Sequence, residues 1–141
     1  MRTLAVIPAR YASTRFPGKP LAILGGKPVI QHVWERVKSA SVITDAVVAT
    51  DDQRIIEAVV QFGGIAMLTG SHHRSGTDRC GEVAQKLKNE GKTYDLIINI
   101  QGDEPFIHPT QIETLVDCFS NPATHIATLK KAITQSDDLF N

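Results

Sequence analysis

Three cations lie close together near the start of the chain, at residues 8–20. Arg10 and Arg15 carry guanidinium groups that can bind phosphate oxygens bidentately, and Lys19 adds a compact positive charge. The segment contains no Asp or Glu, so its electrostatic field favours a polyanion. A Walker-type phosphate loop is excluded, because the Gly-Lys pair of this segment is followed by proline. The alternative interpretation is a solvated basic loop.

Two later segments also carry groups suited to a ligand. Residues 71–79 combine hydroxyls and turn formers with a predicted helix start, whose backbone N–H groups suit a base or ribose. We interpret His72 and His73 as solvated loop residues, because neighbours in sequence rarely point at one metal ion. Residues 101–105 present two carboxylates, which suit Mg²⁺, a hard ion that also binds substrate phosphates. The alternative for Asp103 is a helix cap or turn former.

Alternating apolar segments predict the elements that position these groups. Short runs rich in β-branched residues predict strands at residues 3–7, 46–49, 65–68, 96–100 and 126–129. Apolar residues at helical spacing lie between the strands and after the fourth. Asp51-Asp52 and Thr77 are candidate N-caps, although Asp51-Asp52 could also contact a ribose. Gly63-Gly64 is typical of a helix end, and Pro109 of a first helical turn.

Strands that alternate with helices predict a three-layer α/β/α domain with a mostly parallel sheet. In such sheets, ligands bind beyond the carboxyl ends of the strands. The three polar segments follow predicted strands, so we expect them to line one crevice.

Composition limits the remaining possibilities. The chain has 141 residues, 42% of them hydrophobic and 21% charged, as is typical of a globular domain able to bury a core. Its formal net charge is zero, which argues against a polybasic nucleic-acid arm or a membrane-surface module. That total is uneven, since residues 1–34 carry five cations and no acid. Cys80 and Cys118 lack metal-site spacing and are expected to be buried thiols. The absence of an apolar run long enough to span a membrane predicts a cytoplasmic protein.

The first segment resembles a known signature. Residues 7–21 read IPARYASTRFPGKPL, which closely resembles the nucleotide-binding motif of the 3-deoxy-manno-octulosonate cytidylyltransferases, or CMP-Kdo synthetases. SGTDR at residues 75–79 and QGDEP at residues 101–105 resemble the second and third motifs of that family, in the same order. The CMP-sialic acid synthetases share Pro-Ala-Arg, but residues 11–17 favour the Kdo family.

The resemblance implies a Rossmann-like fold of the nucleotide-diphospho-sugar transferase type and a set of site residues. The nucleotide-binding residues that it implies are Pro8, Ala9, Arg10, Ser13, Thr14, Arg15, Lys19, Ser75, Gly76, Arg79 and Gln101. Arg10, Lys19 and Asp103 are implied to be catalytic, with Asp103 as the Mg²⁺ ligand.

The resemblance also implies the reaction. The parent enzyme joins CTP and Kdo to give CMP-Kdo and diphosphate, for lipopolysaccharide biosynthesis. The family continues past Asn141 with a sugar-binding part, a second metal-binding acid and most of a homodimer interface. We therefore expect residues 1–141 to be a single nucleotide-binding domain of a truncated enzyme, which binds CTP with little or no activity. Two alternatives stay open: a cytidylyltransferase for 8-amino-Kdo or sialic acid, and a non-catalytic nucleotide- or polyanion-binding module.

Overall fold

Strands and helices alternate along the chain. The computed structural model describes residues 1–12, 16–73, 75–118 and 126–128. The strands are β1 (Thr3–Pro8), β2 (Ile23–Leu24), β3 (Lys27–Pro28), β4 (Asp45–Thr50), β5 (Ala66–Leu68), β6 (Leu96–Asn99) and β7 (Ile126–Thr128). The helices are α1 (Val29–Ser39), α2 (Gln53–Gln61), α3 (Gly76–Asn89) and α4 (Pro109–Cys118), with a 3-10 turn at Lys19–Leu21. The predicted order of strands and helices is confirmed within these residues.

Five parallel strands form the main sheet, in the order β5-β4-β1-β6-β7. β1 lies at the centre, where Val6 pairs with Val47 of β4 and with Asn99 of β6. Every residue of β1 is buried, because helices cover both faces of the sheet. A strand covered on both faces reads as a continuous apolar run, which is the pattern of residues 3–7.

The alternation of side chains along β1 divides the core between two layers. Ala5 and Ile7 pack on one face with the apolar sides of α1, α2 and α4. Leu4 and Val6 pack on the other face with α3, through residues such as Val83. The three-layer α/β/α prediction is therefore confirmed.

The helix ends follow the predicted signals with one correction. Asp52 caps α2 by accepting a hydrogen bond from the N–H of Arg54, and Gly63 follows that helix with φ +87°. The prediction of Thr77 as a cap was wrong. Ser75 has the extended backbone of an N-cap, and its hydroxyl accepts from the N–H of Asp78 at 3.2 Å. α3 therefore begins earlier than the sequence pattern indicated.

The sequence analysis missed one small element. β2 and β3 pair antiparallel as a hairpin between the 3-10 turn and α1. Gly25 and Gly26 form its turn with φ +59° and +84°, a conformation that favours glycine. The strands have two residues each, too few to give a periodic signal. Of the predicted strand at residues 126–129, the last residue lies outside the described part of the chain.

The two cysteines differ in environment. Cys80 is buried on α3, and burial raises the pKa of its thiol to about 12. Cys118 is exposed, so the expectation of two buried thiols was wrong for this residue. It lies at the end of α4, away from the helix face on which Ile112 and Val116 are buried. No helix among the described residues is long and apolar enough to cross a membrane.

The core predicts a large difference between two isoleucine substitutions. Ile98 is fully buried in the sheet, so Ile98→Ala should lower the free energy of unfolding by about 2–5 kcal/mol. Ile65 is 59% exposed, and Ile65→Ala should lower it by less than about 1 kcal/mol. Urea denaturation followed by circular dichroism measures both. Equal losses in the two variants would contradict this description of the core.

Candidate functional site

A cavity of about 790 Å³ opens beside the carboxyl ends of β1 and β6 and the start of α3. Its lining comes from three loops, as the sheet topology predicts. The residues that line it are Pro8, Ala9, Arg10, Ala12, Phe16, Lys19, Pro20, His73, Ser75, Gly76, Arg79, Gln101 and Asp103. We call the segments that follow β1, β5 and β6 the first, second and third loops.

Two glycines let the three loops meet at Pro8. The N–H of Gly102 donates to the carbonyl of Pro8 at 2.9 Å, and a Cβ on Gly102 would lie 2.8 Å from that oxygen. A Cβ on Gly76 would lie 2.9 Å from Nδ2 of Asn99 and 3.2 Å from Cγ of Pro8. Neither position has room for a side chain. The third loop and the start of α3 can therefore both approach the end of β1.

The first loop turns back on itself around Tyr11. The N–H of Gly18 donates to the carbonyl of Tyr11 at 2.7 Å, and Gly18 has φ +74°. A Cβ on Gly18 would lie 2.8 Å from Cε2 of the Tyr11 ring. This contact closes the loop between Arg10 and Lys19, so both cations face the same cavity.

An arginine of α2 holds the outer face of Tyr11. The guanidinium carbon of Arg54 lies 3.4 Å from the Tyr11 ring centroid, within the range of a cation–π contact. Asp52 fixes that guanidinium by accepting from Nε at 3.0 Å and from an Nη atom at 2.7 Å. The hydrogen bonds from Arg54 lower the pKa of the Asp52 carboxyl. Asp52 is thus a cap that also supports the first loop, and the capping interpretation of Asp51-Asp52 is confirmed at Asp52.

The start of α3 contributes a buried cation. Arg79 is 2% exposed, lines the cavity and donates to the hydroxyl of Thr69 and, at 3.0 Å, to the carbonyl of Gly70. Both acceptors are neutral. A buried charge is costly unless it is paired, so an anion in the cavity would stabilise this guanidinium.

Glu82 of α3 holds the second loop in place. Its carboxylate accepts from the N–H of Gly70 at 2.9 Å, contacts Nε2 of His73 at 2.5 Å and pairs with Lys86 at 2.7 Å. Lys86 also donates to the carbonyl of Leu68 at 2.8 Å. The ammonium of Lys86, the N–H of Gly70 and the His73 ring together lower the pKa of Glu82 to about 2. Side-chain contacts from Glu82 and Lys86 therefore hold the second loop against α3, in addition to its covalent connection to that helix.

His73 corrects one prediction from the sequence. Its side chain is 10% exposed and lines the cavity, so it is not a solvated loop histidine. The ring is held inward by its contact with Glu82, which lies nine residues later in the chain. No local sequence pattern indicates this contact. His72 remains exposed beside it, with 4.4 Å between the ring centroids.

The third loop places Asp103 beside Lys19. Their charged atoms are 4.0 Å apart, and both side chains are more than one-third exposed. Asp103 supplies hard oxygen donors of the kind that Mg²⁺ prefers. Groups of three or more His, Cys, Asp or Glu suited to a metal do not occur among the described residues. Mg²⁺ in nucleotide sites commonly binds one or two protein carboxylates and completes its coordination with phosphates and water, so Asp103 alone could contribute to such a site.

Nine of the twelve predicted site residues line the cavity. The other three, Ser13, Thr14 and Arg15, lie outside the described residues. Sequence reasoning missed four lining residues: Ala12, Phe16, Pro20 and His73. The first three belong to the first loop, whose length was the available signal. The functional roles given to the predicted residues stay predictions.

A family model described as cytidylyltransferase matches residues 4–141. The chain belongs to the cytidylyltransferase family.

Relatives of this cytidylyltransferase chain share one name. The 3-deoxy-manno-octulosonate cytidylyltransferase of Parabacteroides distasonis is 57% identical over 100% of this chain and 56% of its own length. That of Thermodesulfovibrio yellowstonii is 53% identical over the same shares. A solved structure of CMP:2-keto-3-deoxy-manno-octonic acid synthetase complexed with CTP superposes with a TM-score of 0.80 at 48% identity, covering 87% of this chain and 49% of that one. The cytidylyltransferase chain thus spans about half the length of the curated relatives it matches.

Substitution of Arg54, which packs on the ring of Tyr11, tests whether this contact stabilises the first loop. Arg54→Ala should weaken binding of a nucleoside triphosphate about two- to fivefold, because it removes a contact worth about 0.5–1 kcal/mol that supports the loop carrying Arg10 and Lys19. Isothermal titration calorimetry measures the affinity. Arg2→Ala is the matched control, since Arg2 also lies over a tyrosine, Tyr94, but precedes the opposite end of β1. Equal weakening in both variants would contradict the assignment.

The pKa of Glu82 predicts how stability changes with pH. A carboxyl whose pKa falls from 4.5 unfolded to about 2 folded stabilises the fold fully above the unfolded value, and this contribution is lost as the pH falls towards 2. Glu82→Gln should therefore lower the free energy of unfolding by about 3 kcal/mol at pH 6 to 7, and by about 2 kcal/mol at pH 3.5. Urea denaturation across this range measures the difference. Glu90→Gln, an exposed position at the end of α3, is the control, and a pH-independent effect of Glu82→Gln would refute the pairing.

Proposed function

We propose that this chain forms the nucleotide-binding part of an enzyme that joins CTP and Kdo to give CMP-Kdo and diphosphate. The observation that carries the proposal is one cavity into which the first loop brings cations, the start of α3 a buried guanidinium and the third loop a carboxylate. The relatives named for this reaction, and the CTP complex of a similar synthetase, support the choice of CTP and Kdo. A cytoplasmic location, a role in lipopolysaccharide biosynthesis and a homodimeric whole enzyme are parts of the same proposal.

The cations of the first loop would bind the triphosphate. In the proposed reaction the anomeric hydroxyl of Kdo attacks the α-phosphorus in line, and diphosphate leaves. Catalysis of this kind depends on positioning and on neutralising charge, and it needs no protein nucleophile. Arg10 and Lys19 would hold the phosphates and stabilise the leaving diphosphate. Arg15, Ser13 and Thr14 are proposed to bind the same phosphates from their positions in the signature.

The second and third loops would bind the nucleoside end. Ser75 and Gly76 stand at the start of α3, where backbone N–H groups are available to an anion or a ribose hydroxyl. Arg79 has a fixed guanidinium, because its hydrogen bonds to the second loop limit its rotation. Gln101 has a side-chain amide that can both donate to and accept from a base. We assign these residues to CTP on that chemistry and on the family resemblance.

Asp103 would hold magnesium. The ion would supply charge neutralisation at the phosphates when bound. Lys19 lies 4.0 Å from the carboxylate, so the chain already holds a cation where a magnesium-bound phosphate would approach. Asp103 would hold the ion, and Lys19 would donate to the phosphates, since both side chains are exposed enough to move.

Nucleotide titrations test the proposal. The chain should bind CTP more tightly than ATP, GTP or UTP, and more tightly with Mg²⁺ than in EDTA. Asp103→Asn should weaken binding about tenfold or more with Mg²⁺ and have little effect in EDTA, because the amide is a poor ligand for this ion. Asp117→Asn, an exposed position on α4, is the matched control and should bind as the wild type does. Equal affinity for the four triphosphates and for RNA would instead support a non-catalytic polyanion-binding module.

A further inference from the structure

His73 of the second loop lines the cavity and has a nearly buried side chain. It is 10% exposed, and its Nε2 atom contacts Oε1 of Glu82 at 2.5 Å. With Nε2 engaged, Nδ1 is the ring's remaining polar atom. The imidazole therefore meets the cavity with one nitrogen committed to the protein and the other available for a ligand.

Glu82 does not itself line the cavity. Its carboxylate contacts the backbone of Gly70, three residues before His73, and the ring of His73 itself. One oxygen, Oε1 of Glu82, thus holds both the backbone of Gly70 and the side chain of His73. Lys86 holds the second oxygen at 2.7 Å, so the carboxylate cannot rotate without breaking an ion pair.

We propose that Glu82 is a positioning residue, which holds the imidazole of His73 in the orientation that contacts the nucleoside part of bound CTP. The proposal rests on the proposed function, because it assumes that the cavity binds this nucleotide. Glu82 acts only through His73 in this scheme, and a carboxylate behind a histidine is a recurring way to fix both the tautomer and the ring orientation.

The position of Arg79 indicates which part of a nucleotide would contact His73. Arg79 and His73 both line the cavity, and both are linked to Gly70. Arg79 donates to the carbonyl of Gly70, and His73 contacts Glu82, which accepts from the N–H of Gly70. The cations Arg10 and Lys19 belong to the first loop. A nucleotide whose phosphates bind the first loop would therefore present its base or ribose to His73.

A double-mutant cycle tests this role. CTP affinity is measured by calorimetry in the presence of Mg²⁺, on the full 141-residue chain, for the wild type, Glu82→Gln, His73→Ala and the double variant. We expect His73→Ala to weaken binding about tenfold and Glu82→Gln about fivefold, because the amide keeps its size but loses the charge that orients the ring. The double variant should bind no more weakly than His73→Ala alone. A purely structural role of Glu82 would persist without the imidazole, so multiplied effects, or a Glu82→Gln variant that binds as the wild type does, would overturn the proposal.

The controls separate this proposal from the function on which it rests. Glu90→Gln, which removes an exposed carboxylate at the far end of the same helix, should leave CTP affinity unchanged. Circular dichroism verifies that each variant is folded, and His73→Ala alone keeps every other contact of Glu82. A wild-type chain that binds the four triphosphates equally overturns the cytidylyltransferase proposal, and one that binds none overturns both. A CTP-selective wild type with multiplied effects overturns only the role of Glu82.

Discussion

The hydrogen bond from the N–H of Gly102 to the carbonyl of Pro8 fixes how closely the third loop approaches the end of β1. It spans 2.9 Å and leaves no room for a Cβ, so the two backbones are in direct contact. Gly76 makes a similar approach from the start of α3 towards Pro8 and Asn99. Three segments far apart in sequence thus surround one proline. The position of Asp103, three residues past the buried Ile100, depends on this junction.

This junction places cations and the carboxylate of Asp103 in one cavity, where Lys19 and Asp103 form only a weak ion pair. The pairing of Lys19 with Asp103 at 4.0 Å is exposed, and exposed pairs are typically worth less than about 1 kcal/mol. Such a pair dissociates easily when a phosphate or a metal competes for its members. Arg79 is the opposite case, since it is buried and its hydrogen bonds to Thr69 and Gly70 are to neutral oxygens. An anionic ligand would compensate its desolvation, so the cavity is electrostatically suited to an anion.

The sequence predicts the strands and helices of this fold well. It predicts poorly the side-chain contacts between elements that hold the loops in place. The buried strands follow from continuous apolar runs, and the three ligand-facing loops follow from the rule that parallel sheets bind ligands at their carboxyl ends. Ser75 could not be distinguished from Thr77 as a cap, because both are hydroxyl residues near the same helix start. The burial of His73 depends on Glu82, and the support of Tyr11 depends on Arg54, a residue more than forty positions away. Such contacts are set by packing between elements, which no local periodicity encodes.

Each loop of the cavity is supported from a different helix. Arg54 of α2 holds the first loop through Tyr11, Glu82 of α3 holds the second, and Arg36 of α1 donates to the carbonyl of Ile107 beyond the third at 3.1 Å. α1 and α2 pack on one face of the sheet and α3 on the other, so the cavity joins the two cores. A ligand that contacts all three loops must therefore stabilise both layers together, by an amount that grows with the logarithm of its concentration over Kd. The residues that most affect binding should accordingly include those that connect a loop to its helix, as well as those that touch the ligand.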